Sequence, residues 1–178
     1  PLLREDLPEL IDHAVENGLR AVISTNGTLI SEEKARRFAR SSLSYIGISL
    51  DGIGEVNDLF RGKKGAFEKA LAGMRSAKKA GIKVGLRFTI NKRNYQEIPK
   101  IFDLIGKEDI ERVCFYHLVY SGRGSKLRDD DLAHDEARRV VGAGEDRPIR
   151  PRSNTGGGNQ RAVDEVKTAA VIEIRPLF

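Results

Sequence analysis

The sequence predicts an α/β fold with a parallel sheet, in which strands and helices alternate to form a (β/α) barrel. Short apolar strands alternate with amphipathic helices over residues 1–120, which is typical of right-handed βαβ units. The strands also alternate between apolar and small or polar residues, whereas strands covered by helices on both faces are almost wholly apolar. We therefore expect one face to pack on helices and the other to line a lumen.

The first βαβ unit follows a helix. Apolar residues recur at helical spacing over 7–15, and Gly18 supplies a stop. The next strand, over 19–25, ends in an Asn-Gly-Thr turn. Ser31 is the expected cap of a second helix over 32–41.

The same alternation then repeats to residue 120. The remaining elements are a strand and turn over 43–52, a helix over 65–80, a strand over 81–91, a helix over 95–106 and a strand over 112–120.

The sequence is rich in glycine, arginine and proline from residue 142 onward, where the alternation stops. We therefore expect a partial barrel over 1–141 and an irregular tail over 142–178. A shifted reading frame or a chimeric join near Val141 would explain the change. A linker followed by a lone strand over 169–174 is the alternative.

Composition narrows the classes of function. The chain has 178 residues, a net charge of +5 and one cysteine, Cys114, which is expected to lie in the core. No apolar run approaches the roughly 20 residues of a membrane helix, so we expect a cytoplasmic protein without a membrane partner. Glutamates are interleaved with the basic residues, a pattern that favours solvated helix faces over a nucleic-acid surface.

Polar residues near the carboxyl ends of the predicted strands are the candidates for a functional site, because those ends open into the active site of a (β/α) barrel. They are Asn26, Ser49, Asp51, Arg87, Asn91 and His117.

Each candidate also has a structural interpretation. Asn26 favours a turn, and Ser49 and Asp51 are suited to capping. Arg87 could form an internal ion pair. A single histidine such as His117 is more often a satisfied core residue than a catalyst. Their convergence on one end of a barrel favours a site.

Six segments, in order, carry a family resemblance: "PLL", "STNGTLIS", "ISLDG", "LFRGKKGAFEKAL", "GIKVGLRFTINKRN" and "FYHLVYSGRG". Together they resemble the core barrel of radical S-adenosylmethionine (SAM) enzymes over 1–141. The last two segments are most similar to the tetrapyrrole-processing enzymes of alternative haem biosynthesis, the didecarboxysiroheme deacetylase and NirJ-type subgroup.

The resemblance implies roles for individual residues. Ser49 would contact the SAM carboxylate or ribose, Arg61 the carboxylate, and Leu118 the adenine. The full set implied to bind the cofactor is Asn26, Ser49, Asp51, Arg61 and Leu118. The set expected to bind substrate is Arg87, Asn91, His117 and Arg123. Basic groups expected to suit tetrapyrrole carboxylates are Arg87, Lys92, Arg93 and Arg123.

The chain departs from the family at its start. Pro1 resembles the last residue of a Gly-Gly-Glu-Pro motif. In the family, the first strand and a CxxxCxxC loop that holds a [4Fe–4S] cluster come before that motif. We therefore expect an incomplete barrel, a fragment without metal ligands that is inactive alone.

The resemblance also implies the chemistry of the parent enzyme. A reduced cluster, supplied by an electron donor such as ferredoxin or flavodoxin, would cleave SAM to a deoxyadenosyl radical that takes hydrogen from the substrate. One alternative is a radical SAM enzyme that modifies a peptide. Another is a non-radical lyase with a Schiff-base lysine, although Lys83 lies early on its strand and Lys92 lies just past one. A basic nucleic-acid-binding module is the third.

Overall fold

The computed structural model describes residues 1–119 and 122–145. The α-helices are α1 (Leu7–Glu16), α2 (Glu32–Arg40), α3 (Glu55–Arg61), α4 (Ala66–Lys79), α5 (Ile98–Glu108) and α6 (His134–Glu145). The strands are β1 (Val22–Thr25), β2 (Tyr45–Ser49), β3 (Val84–Thr89) and β4 (Val113–Tyr116). A short 3₁₀ helix spans Tyr95–Glu97 and a long one spans Gly122–Asp130. Within these described residues, no helix is long and apolar enough to cross a membrane.

The four strands form one sheet in the order β1-β2-β3-β4. β1 pairs with β2, and β2 pairs with β3, both in parallel. The chain divides into two compact units, Pro1–Arg87 and Phe88–Phe178, and the division falls inside β3. The expected parallel sheet of an α/β fold is confirmed.

The core of the first unit is the apolar face of the sheet. Residues paired across parallel strands point to the same face, and those on this face are buried: Ile23, Ile46, Ile48, Val84 and Leu86. α4 contacts β2 and α2 through a buried stripe that includes Ala70, Met74 and Ala77. Each fully buried aliphatic side chain of this size contributes about 1.5 to 3 kcal/mol.

The opposite face carries small and polar residues, as the alternation predicts. Gly47 pairs with Gly85, and Ser49 pairs with Arg87. On β1, Ser24 of the same face is exposed. α4 therefore packs on one face of the sheet, and the small and polar residues lie on the other.

Capping confirms the predicted start of α2. The hydroxyl oxygen of Ser31 accepts a hydrogen bond from the backbone N–H of Lys34 over 3.1 Å. This bond satisfies one of the N–H groups that the first helical turn leaves without a partner.

The second unit is built around three phenylalanines. Phe88 and Phe115 meet edge to face with their ring centroids 5.9 Å apart, and Phe102 lies 5.7 Å from Phe115. Phe88 and Phe115 are fully buried. α5 packs against α6 and against the short 3₁₀ helix.

Several elements differ from the sequence-based expectation. α3, the long 3₁₀ helix and α6 were not predicted. β4 ends at Tyr116, so the predicted strand over 112–120 is too long. The division into a partial barrel over 1–141 and a tail over 142–178 stays a prediction, because residues 146–178, including the predicted strand over 169–174, lie outside the described residues.

Close backbone contact between Gly27 and Gly73 holds the turn after β1 against α4. Gly27 has a φ of 76°, in the left-handed region that favours glycine. A Cβ at Gly73 would overlap the carbonyl oxygen of Gly27 and lie 3.1 Å from Cβ of Ile30. The turn can therefore approach the helix only where α4 lacks a side chain.

We expect Gly73→Ala to destabilise the chain by about 1 to 3 kcal/mol, because a methyl group forced into a packed contact costs that much. Gly106→Ala on α5 is the matched control, since a Cβ there meets nothing within 4 Å, and it should stabilise the chain by about 0.5 to 1 kcal/mol. Urea unfolding of the two variants measures both effects. Equal stabilities of Gly73→Ala and wild type would contradict the proposed close contact.

Candidate functional site

The carboxyl end of β2 brings together three of the residues that the sequence singles out. Ser49 is the last residue of β2, Asp51 follows in the next turn, and Arg61 is the last residue of α3. Nε of Arg61 lies 2.7 Å from Oδ2 of Asp51, and Nη2 donates to the carbonyl oxygen of Ser49 over 3.2 Å. One guanidinium therefore contacts both residues at the end of the strand.

Burial governs the electrostatics of this ion pair. The side chain of Asp51 is 16% exposed and that of Arg61 is 31% exposed. Burial raises the pKa of the Asp51 carboxyl, and the positive charge of Arg61 opposes that rise. Arg61 thus offsets part of the cost of removing the carboxylate from water.

Asn57 fixes the backbone of the turn that carries Asp51. Its side chain is buried, and its Oδ1 accepts a hydrogen bond from the backbone N–H of Asp51 over 3.0 Å. Leaving the buried side chain of Asn57 without this partner would cost about 1 to 3 kcal/mol. The sequence analysis missed Asn57, because it reaches Asp51 only when α3 folds back against the end of β2.

Asp58 attaches α3 to the start of α4. Its carboxylate accepts hydrogen bonds from the backbone N–H groups of Gly65 and Phe67, the latter over 2.8 Å. Bonds from Phe67 and Gly65 hold the pKa of the Asp58 carboxyl below its ordinary value. Asp58 therefore caps α4 from a neighbouring helix and fixes the helix that carries Arg61.

Asn26 is engaged in its own turn. Its Oδ1 accepts hydrogen bonds from the backbone N–H and the hydroxyl of Thr28, over 3.2 and 3.1 Å. The side chain is exposed. The structure thus forms the turn that the residue type favours, and a role for Asn26 toward a cofactor stays a prediction.

Arg87 lies across the polar face of β2. A Cβ at Gly47 would fall 2.7 Å from Cδ of Arg87 and 3.2 Å from Cε1 of Tyr45. The aliphatic part of Arg87 therefore fills the space that the glycine leaves. Since Arg87 pairs in register with Ser49, the side chain leans back from the carboxyl end of the sheet toward its amino end.

Asn91, in the second unit, is bound to the backbone of its own loop. It is buried; its Oδ1 accepts from the N–H of Arg93 over 2.9 Å, and its Nδ2 donates to the carbonyl of Thr89 over 3.4 Å. Asn94, also buried, accepts from the N–H of Asn91 over 2.9 Å. The structure therefore shows a loop-shaping role for both amides, and substrate binding by Asn91 stays a prediction.

The other residues expected to bind ligand in the second unit lie after β4. His117 and Leu118 follow the strand directly and are partly exposed. Arg123 belongs to the long 3₁₀ helix by its backbone, and its side chain lies outside the described residues. The roles of these three residues stay predictions.

Lys92 and Arg93, two of the basic residues expected near the substrate, contact an acidic segment of the second unit. Arg93 pairs with Asp130 over 2.7 Å, and Nζ of Lys92 donates to the carbonyl oxygen of Asp129 over 2.8 Å. The loop after β3 is thereby attached to the end of the long 3₁₀ helix. Both side chains serve this attachment in the structure.

The residues of this chain do not fit an iron–sulfur cluster. Such a cluster is held mainly by cysteine thiolates, and the chain has one cysteine, Cys114, which is buried in β4. The described residues contain no group of three or more His, Cys, Asp or Glu side chains that could hold a metal ion. A carboxylate-binding guanidinium at the end of β2, in contrast, suits an organic ligand that carries a carboxylate.

Comparison with known proteins assigns the family. Residues 1–105 match the model of the radical SAM superfamily. The chain belongs to the radical SAM superfamily. That match covers 105 of the 178 residues and includes Ser49, Asp51 and Arg61, so the family resemblance predicted from the sequence is confirmed.

Two curated relatives carry names that refer to an iron porphyrin or to a haem precursor. The chain is 60% identical over 141 residues to the Fe-coproporphyrin III synthase of Methanosarcina barkeri. It is 48% identical over 141 residues to the pre-heme d1 synthase of Dinoroseobacter shibae. Each alignment covers 79% of this chain and 35% of the relative. The chain thus spans about a third of the length of these relatives.

A solved structure supports the fold. The crystal structure of Streptococcus suis SuiB bound to S-adenosylmethionine matches with a TM-score of 0.65 at 18% identity, over 80% of this chain and 33% of that one. At 18% identity, this match is evidence for a shared fold only. The prediction of a partial radical SAM barrel is confirmed.

We expect the stabilising effect of Asp58 to depend on pH. Its folded-state pKa is lowered, so its contribution is full above about pH 5 and is lost as the pH falls below about 4 through the folded pKa. Asp58→Asn should therefore lower the urea midpoint at pH 7, and the difference from wild type should shrink in acid. Parallel loss of stability in both proteins would argue against the cap.

Proposed function

We propose that this chain supplies the SAM-binding part of a radical SAM enzyme that acts on a tetrapyrrole in haem biosynthesis. The observation that carries the proposal is the guanidinium of Arg61, which is held at the carboxyl end of β2 beside Ser49 in a chain of this superfamily. The haem-related names of the two relatives support the substrate class.

The residues at the end of β2 have distinct tasks in this proposal. Arg61 binds the methionyl carboxylate, and the Ser49 hydroxyl donates to that carboxylate or to the ribose. Gly47 pairs with Gly85 on the polar face, and the side chain of Arg87 occupies the space over Gly47. When bound, SAM supplies the group that takes hydrogen from the substrate.

Substrate recognition in the proposal depends on positive charge. A tetrapyrrole carries several carboxylates, which Arg123 would bind and which Arg87 would bind after its side chain turns from Gly47 toward the carboxyl end of the sheet. His117 would donate a hydrogen bond or ligate a bound iron. Asn91 would complete this set. An electron donor such as ferredoxin or flavodoxin and a cytoplasmic location remain predictions that belong to the whole enzyme.

Modification of a peptide is the less supported alternative. The matched SuiB structure is similar at 18% identity, which carries no information on substrate. The haem-related relatives are 60% and 48% identical. The proposed substrate class rests on this difference.

Arg61→Ala should weaken SAM binding by about 10- to 100-fold, because a hydrogen bond to a charged group contributes about 1.5 to 3 kcal/mol. Calorimetry on the full-length protein that carries this sequence measures the affinity. Arg36→Ala is the control, since Arg36 is an exposed residue of α2 that pairs only with Glu32 among the described residues. An unchanged affinity in Arg61→Ala would remove Arg61 from the site and with it the main support for the proposal.

Binding of siroheme derivatives tests the substrate class. The full-length protein should shift the Soret band of the bound tetrapyrrole, and His117→Ala should alter that shift. His13→Ala is the control, because His13 is exposed on α1. If the wild type leaves the Soret band unshifted and a peptide stimulates SAM cleavage instead, the enzyme modifies a peptide.

A further inference from the structure

The contacts with Asp51 and with Ser49 occupy one edge of the Arg61 guanidinium. A guanidinium has N–H donors on each of its nitrogens and accepts no hydrogen bonds. In Arg61, Nε faces Oδ2 of Asp51 at 2.7 Å, and Nη2 donates to the carbonyl oxygen of Ser49 at 3.2 Å. Nη1 has no partner among the described residues. The pair therefore holds Arg61 and leaves donors of its Nη end for a ligand.

The carboxylate that holds Arg61 is itself held in place. The side chain of Asp51 is 16% exposed. Its backbone N–H donates a hydrogen bond to Oδ1 of the buried Asn57 over 3.0 Å. A group whose position is fixed before the ligand arrives avoids the cost of ordering it on binding. Asp51 thus has the rigidity that an orienting group needs.

Arg61 also needs such an orienting group. Arginine side chains lose about 2 kcal/mol of rotamer entropy when they are fixed, and Arg61 is the last residue of a short helix with a partly exposed side chain. The Asp51 carboxylate and the Ser49 carbonyl fix the guanidinium from the strand side. The ordering cost is then met when the chain folds and not when the ligand binds.

We infer that Asp51 is a positioning residue for SAM: it touches Arg61 and not the ligand, and it orients the Nη end of the guanidinium toward the methionyl carboxylate. This inference rests on the proposed function. It assigns to Asp51 an indirect role in place of the direct cofactor contact expected from the sequence.

Asp51→Asn tests the inference, since it removes the charge but keeps the backbone N–H that Asn57 accepts. In the full-length protein, it should weaken SAM binding by about 3- to 10-fold, in the lower part of the range of coupling within one ion-pair network. The affinity for decarboxylated SAM, which lacks the carboxylate that Arg61 binds, should stay unchanged. Glu55→Gln is the matched control, because Glu55 is an exposed carboxylate of α3.

A double-mutant cycle separates positioning from a general structural effect. If Asp51 acts through Arg61, Asp51→Asn should have no further effect in the Arg61→Ala protein. Equal weakening of SAM and decarboxylated SAM, or an undiminished effect in the Arg61→Ala background, would overturn the inference. Arg61→Ala without any effect on SAM would instead overturn the proposed function. Weakening by Arg61→Ala but not by Asp51→Asn would overturn the inference alone.

Discussion

Alternation of side chains across the parallel strands is the constraint on which the rest of the structure depends. Successive residues of a strand point to opposite faces, so burial of Ile46 and Ile48 against α4 places Gly47 and Ser49 on the other face. A shift of one residue in register would exchange the two faces. The hydrophobic core of the first unit therefore determines where the polar end of β2 lies, and hence where Arg61 finds its partners.

Local patterns were sufficient to predict most of the fold. The apolar repeat of α1, the Ser31 cap of α2 and the alternation within β2 and β3 depend on residues close together in the sequence. Such signals survive in the folded chain because local and tertiary preferences agree. α3 lacked such a signal: it is seven residues long, and its position depends on contacts with the end of β2 and with α4.

The candidate site could be predicted in part. Ser49 and Asp51 were identified from their place at the carboxyl end of a predicted strand and Arg61 through the family resemblance, and the structure brings the three together. Their mutual contacts were not predicted, nor was the buried amide of Asn57, because hydrogen bonds between an α3 side chain and a strand end have no sequence periodicity. The bent course of Arg87 over Gly47 depends likewise on a neighbouring strand. Contacts between side chains of different helices and strands are thus the part that a single sequence does not predict.

The single cysteine gives the second unit a chemical reporter of its own. Cys114 lies in β4 and is 7% exposed, next in sequence to Phe115 at the centre of the phenylalanine cluster. A thiol reagent can reach it only when this part of the chain opens, so the labelling rate measures the free energy of that opening. Because the chain has one cysteine, every labelled molecule records the same event, and the opening of the second unit can be timed without introducing a probe.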